Sequence, residues 1–119
     1  MEHRELPLVG QLYACADFKN YEDERSLTTD IDNANVITSV VANSNGLVHK
    51  PVIDIDLPIK VLPSSTPGHH HLFIDHVMTW DQYVMLLGAL VAAGLVEQGY
   101  FDASLTRGHT AVRLPWIRK

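Results

Sequence analysis

Hydrophobic and polar positions alternate with a period of two in several short stretches of this chain, and with a helical period in one. Asn35-Val-Ile-Thr-Ser-Val-Val-Ala42 is rich in β-branched residues, and Asn43-Ser-Asn-Gly46 behind it accepts positive φ, so a strand and then a turn are predicted. In Pro51-Val-Ile-Asp-Ile-Asp56, a second predicted strand, Ile53 and Ile55 point to one face while Asp54 and Asp56 point to the other. A short apolar piece, Ile59-Lys-Val-Leu62, leads into Pro63-Ser-Ser-Thr-Pro-Gly68, a segment dense in turn formers. His69-His-His-Leu-Phe-Ile-Asp75 then alternates again: His70, Leu72 and Ile74 share one face, and His69, His71 and Phe73 the other. With Leu72 and Ile74 expected to join Ile53 and Ile55 in the core of one sheet, His71 falls on the same face as Asp54 and Asp56.

The helical period begins at Thr79-Trp-Asp-Gln82, which has the form of a capping box, and continues through Tyr83, Leu86, Leu87, Leu90 and Val91. That helix is predicted to run to about Ala93, with Gly94 where a left-handed cap is common. Glu97 to Gly108 reads as turn-rich, and Thr110-Ala-Val-Arg-Leu114 as a last strand stopped by Pro115. Earlier in the chain, Leu8 to Phe18 offers one more strand and Lys19 to Asn35 a polar, acid-rich loop. The fold expected is one α+β domain over residues 1–119, a small, mainly antiparallel sheet with one principal amphipathic helix (79–93) packed on one face.

Composition supports folding: 46% of the 119 residues are hydrophobic and 19% charged, far from the signature of disorder. A formal charge of −5 argues against a surface that tracks a phosphate backbone throughout, although Arg107, Arg113, Arg118 and Lys119 follow Leu105 with no acid among them. The lone Cys15 has no partner for an internal disulfide, and no basic start followed by an apolar run marks a signal peptide; a cytoplasmic location is therefore expected. Met85 to Val96, the longest apolar stretch, is too short to span a hydrocarbon layer of ~30 Å, so no membrane is expected as a partner.

Two carboxylates at i and i+2 on a strand project side by side, so Asp54 and Asp56 are candidates to share a divalent cation, and their hard oxygens favour Mg²⁺ or Mn²⁺. The plainer alternative is an edge strand whose acids sit in water and resist aggregation. His69 and His71 with a nearby Asp would make a chemically reasonable zinc site, whereas His70 is expected at the rim of the core. Gly68 permits close backbone approach to a phosphate, or simply turns the chain into the next strand. Arg107 and Arg113 are candidates to pair with phosphate or with the acidic cluster, or are solvated surface charges. Cys15 is expected to be a small buried hydrophobe, and Trp80 and Trp116 to cover the ends of the core.

The order Val52-Ile-Asp-Ile-Asp56, then Ser65-Thr-Pro-Gly-His-His-His-Leu-Phe-Ile74, then Asp102, Arg107 and Arg113-Leu-Pro115 resembles the catalytic core of archaeo-eukaryotic primases and primase-polymerases. The resemblance implies that Asp54, Asp56 and Asp102 are metal ligands, and that His71, with His69 and Gly68 beside it, contacts nucleotide phosphate. Arg107 and Arg113 would lie near triphosphate or template. In mechanism it implies phosphoryl transfer assisted by carboxylate-held metal ions, or a reduced core that binds without catalysis. Over its whole length the chain is also similar to short proteins of actinobacterial phages, which implies the host-cell cytoplasm as its location.

Two principal functions are thus expected. One is a phage-type accessory protein with a primase-like core that binds Mg²⁺ or Mn²⁺ together with nucleotide or nucleic acid. The other is a non-catalytic interaction protein whose acidic body and apolar surface residues engage a host or phage protein partner. A zinc-dependent hydrolase or zinc-stabilised fold built on His69, His71 and an Asp is the third.

Overall fold

The computed structural model describes residues 10–16 and 25–117. Leu8, Val9, Asp17 to Glu24, Arg118 and Lys119 lie outside the described residues, and with them the ends of the predicted 8–18 strand, the first part of the predicted 19–35 loop and two of the basic side chains. The fold is α+β, with two small antiparallel sheets and two helices. Contacts divide the chain into two compact units, Met1–Ile55 and Asp56–Lys119.

The first unit holds a three-stranded sheet in the order β2-β1-β3, with β1 at Leu12–Cys15, β2 at Arg25–Thr28 and β3 at Val36–Ile37. Both neighbours run antiparallel to β1, which pairs Cys15 with Arg25 on one side and Leu12 with Ile37 on the other. Strand β2 corrects the reading of 19–35 as loop throughout. Its Arg-Ser-Leu-Thr sequence lacks an apolar stripe because most of its side chains face solvent; what holds it is the backbone ladder to β1, reinforced by Arg25 over the Tyr13 ring at 5.3 Å.

Strand β3 is much shorter than the predicted 35–42 strand, and at both ends polar side chains add their own bonds beside the backbone bonds of Asn35 and Thr38. The Asn35 amide accepts from Cys15 N–H (2.8 Å) and donates to the Cys15 carbonyl (2.8 Å), doing with a side chain what a ladder residue would do with its backbone. Beyond Ile37, the Thr38 hydroxyl donates to the Gln11 carbonyl (3.3 Å) and accepts from Val40 N–H (3.3 Å). The chain then folds back on itself: Val40 bridges His49, around a turn in which Asn43, Asn45 and Gly46 all have positive φ, as the turn formers predicted. Gly10 lies so close to this segment that a Cβ there would stand 2.6 Å from the Thr38 carbonyl oxygen. Cys15 is buried, as expected.

The second unit opens with a hairpin, β4 at Ile59–Pro63 and β5 at His70–Ile74, and continues with α1 at Trp80–Ala92 and α2 at Gln98–Arg107. The start of α1 is the predicted capping box: the Thr79 hydroxyl accepts from Gln82 N–H (3.1 Å) and the Gln82 side chain accepts from Thr79 N–H (2.9 Å). Ala93 caps its end, and Gly94 follows at φ 80°.

Helix α2 stands where a turn-rich stretch was predicted. Gly99, Asp102 and Ser104 resemble turn formers, yet Tyr100, Phe101 and Ser104 recur at the spacing of one helical face, and Gly108 supplies the left-handed cap with Arg107 in the last turn. The two helices pack on each other. Leu87 from α1 is 4% exposed, Ser104 from α2 is wholly buried, and Gly88 is small enough to admit the Phe101 ring, 3.5 Å from where a Cβ would be. The principal helix thus has a second helix as its packing partner, where a sheet face was expected.

Two predicted strands are not formed. Residues 51–56 and 110–114 carry no strand pairing, although both alternate as strands do. Thr110 is tethered by the Tyr83 hydroxyl (2.7 Å) and the Ala111 carbonyl by the Tyr100 hydroxyl (3.2 Å), after which Val112, Leu114 and Trp116 lie exposed. Trp116 therefore covers no core. Trp80 is half-buried and meets Tyr83 edge to face at 5.9 Å.

Candidate functional site

The register of the hairpin determines which of its side chains share a face. Ile59 pairs with Ile74, Val61 with Leu72 and Pro63 with His70, while Lys60 pairs with Phe73 and Leu62 with His71. Directly paired residues project to the same side, so Ile59, Val61, Leu72 and Ile74 form one apolar face, with Pro63 and His70 at its turn end. The grouping of His70, Leu72 and Ile74 on one side and His71 and Phe73 on the other is as the alternation predicted.

What covers that face differs from the expectation. Leu72 and Ile74 were to join Ile53 and Ile55 in a core, but the strand beside β5 is β4, and all four apolar side chains on the face are between 36% and 57% exposed. Ile53 is exposed as well. The physical reason is local: Pro63-Ser-Ser-Thr-Pro-Gly68 closes a tight connection, so the nearest apolar run, 59–62, reaches β5 first. Within that connection, Ser64 N–H donates to the His69 carbonyl (2.9 Å), His69 N–H to the Thr66 carbonyl (3.0 Å) and Thr66 N–H to the Ser64 hydroxyl (3.1 Å), with Gly68 at φ 80°.

The predicted site residues are distributed as follows. Asp54 and Asp56 are exposed in the irregular segment before the hairpin. His69 and His70 are exposed, His71 is half-buried opposite Leu62, and Gly68 has open space where a Cβ would be. Asp102 lies on α2, where its carboxylate accepts from Gln98 one turn earlier (2.9 Å). Arg107 ends that helix, and Arg113 is exposed in the segment beyond it. Strand alternation, which was to bring the two acids onto the sheet face of His71, does not do so, because 51–56 is not a strand of that sheet. Among the described residues, no three His, Cys, Asp or Glu side chains form a group able to hold a metal ion.

Two features of the first unit escaped the sequence reading. The Ser39 hydroxyl and His49 Nδ1 lie 2.8 Å apart across the Val40–His49 bridge. A pocket of about 250 Å³ is lined by Gly10, Gln11, Leu12, Leu27, Thr28, Thr29, Ala42 and Asn43. The first could be seen only once the turn at 43–46 is known to bring 39 and 49 together; the second needs the sheet order.

No helix among the described residues is long and apolar enough to cross a membrane. No protein-family model, curated protein or solved structure matches this chain.

Proposed function

We propose that this chain is a non-catalytic interaction protein that takes an apolar protein segment onto its hairpin. The observation that carries this reading is the Ile59, Val61, Leu72 and Ile74 face, apolar, free of formal charge and open to solvent. Two features define the partner's chemistry. The face itself offers only hydrocarbon, which rewards apolar side chains and gives nothing to a phosphate. In a two-stranded sheet, moreover, both strands are edges, and the ladder turns alternate backbone N–H and C=O groups of β5 outward, where an extended peptide adds as a strand. Pro63 ends β4 and removes a donor from its free edge, so β5 is the better acceptor. An extended segment of a host or phage protein, apolar at every second residue, fits both features.

Selection from a random peptide library on the immobilised chain tests this. Enriched peptides with alternating apolar positions, whose binding is lost with Val61→Lys/Leu72→Lys while the folding midpoint is kept, are the expected result. Peptides that bind the double variant equally well, or the absence of any enrichment, would sink the idea.

A second reading, binding of nucleotide or nucleic acid with Mg²⁺ or Mn²⁺ on a reduced primase-like core, draws support from one feature. The Gly68 turn, with positive φ and open space beside it, delivers the chain directly into the histidine-bearing strand. Asp54, Asp56 and Asp102 would supply the metal ligands, and Arg107 and Arg113 would add cationic contacts. Titration with Mg²⁺ plus a nucleoside triphosphate should then show saturable binding that Asp54→Ala removes, and a flat titration of the intact chain ends that reading.

A further inference from the structure

Two segments of this protein have the pattern of a strand and the conformation of neither strand nor helix. In 51–56, Ile53 and Ile55 alternate with Asp54 and Asp56; in 110–114, Val112 and Leu114 alternate with Ala111 and Arg113. Both are bounded by prolines that would stop a strand, Pro51 and Pro58 in one case and Pro115 in the other. Val52, Ile53, Val112 and Leu114 are among the exposed large hydrophobic side chains. Among the described residues, no hydrogen bond engages the backbone of 52–57, and no ion pair engages Asp54, Asp56 or Arg113.

We propose that two copies of the chain associate by pairing residues 53–56 of each with residues 111–114 of the other as antiparallel strands. One register satisfies both faces at once. Setting Arg113 opposite Asp54 places Val112 opposite Ile55 and Leu114 opposite Ile53, so the apolar side chains meet on one side. On the other, the guanidinium lies against Asp54 with Asp56 on the diagonal, within reach of a long side chain. A shift by one residue sets Arg113 against Ile53 or Ile55 and Val112 against Asp54 or Asp56, which disfavours the neighbouring registers. The tether at the root of 110–114 is compatible: the Tyr100 hydroxyl takes the Ala111 carbonyl, and in this register Val112 turns both backbone groups and Leu114 its N–H to the partner, while Ala111 turns its carbonyl away and the Leu114 carbonyl stays with Ile117 N–H (3.0 Å).

We place the contact on a twofold axis, where it is made twice, each copy giving one strand of either kind. The acidic doublet then has a role as the anionic side of a self-recognition strand. This contact uses neither β4 nor β5, so it stands or falls separately from binding at the hairpin.

The test is sedimentation of the full-length chain, together with oxidation of an Ile53→Cys/Leu114→Cys variant. Opposed residues of an antiparallel pair stand about 5.5 Å apart at Cα, within disulfide reach. The expected results are a particle of twice the chain mass and a disulfide that joins two chains. Arg113→Asp should weaken the dimer by about tenfold, since the repulsion is felt at both symmetric contacts, and Asp54→Arg added to it should restore association. A monomer at every concentration, a disulfide closed within one chain, or a dimer indifferent to Arg113→Asp would each overturn the proposal.

Discussion

The helix pair and the hairpin of the second unit stabilise themselves in opposite ways. Helix α1 satisfies its backbone internally, closes its first turn with the Thr79–Gln82 capping box and buries Leu87. The hairpin β4–β5 satisfies only the inner half of its backbone, and its apolar face looks outward. A two-stranded hairpin is marginal in water without a third strand or a covering layer. The helix pair therefore reads as scaffold, and the hairpin as a surface whose apolar side chains serve something outside the chain.

The strongest way to break that contrast is to truncate a leucine in each place. Leu87→Ala should cost about 2–4 kcal/mol through lost transfer energy and the cavity left behind, whereas Leu72→Ala should stay within about 0.5 kcal/mol because its side chain is already half in water. Urea denaturation of the two variants checks it, and equal losses would mean that the hairpin face is covered. Thr79→Ala comes next: deleting the capping hydroxyl should lower stability by about 1 kcal/mol, read as a shift in the urea midpoint at unchanged slope. The smallest effect has the opposite sign. The Ser104 hydroxyl is buried with no hydrogen-bond partner among the described residues, so Ser104→Ala should raise the thermal midpoint, by the equivalent of up to about 1 kcal/mol. A lower midpoint would show that the hydroxyl is satisfied after all.

Where the chain carries its own local instructions, they were legible. The capping box and the apolar spacing from Tyr83 to Val91 predicted α1 closely, because a helix closes its hydrogen bonds within a few residues of sequence. The turn at Asn43 to Gly46 and the faces of His70 to Ile74 follow from equally short-range rules. Helix α2 was hidden by Gly99, Asp102 and Ser104, whose turn preference yields to packing against α1. Strand β2 was hidden for the converse reason: an exposed strand needs no apolar stripe, only a neighbour, and the neighbour is distant in sequence.

The candidate site shows the same division. Alternation correctly separates His71 from Leu72, since the period of two belongs to any strand. Which extended pieces become neighbours is another matter. The shared face needed 51–56 and 70–74 in one sheet, whereas 70–74 pairs with 59–63 in a two-stranded sheet and the acids lie on an irregular segment.

Residue order in this protein was thus sufficient for the class of fold, the main helix, its cap, the turns at 43–46 and 63–68 and the division of side chains between the two faces of β5. Partnership was not: that β1 would lie between β2 and β3, that α1 would rest on a second helix, and that an apolar face would be left in solvent are outcomes of competition between distant segments for the same backbone hydrogen bonds and the same buried area. Local rules do not rank such competitors, because each satisfies its own pattern equally well.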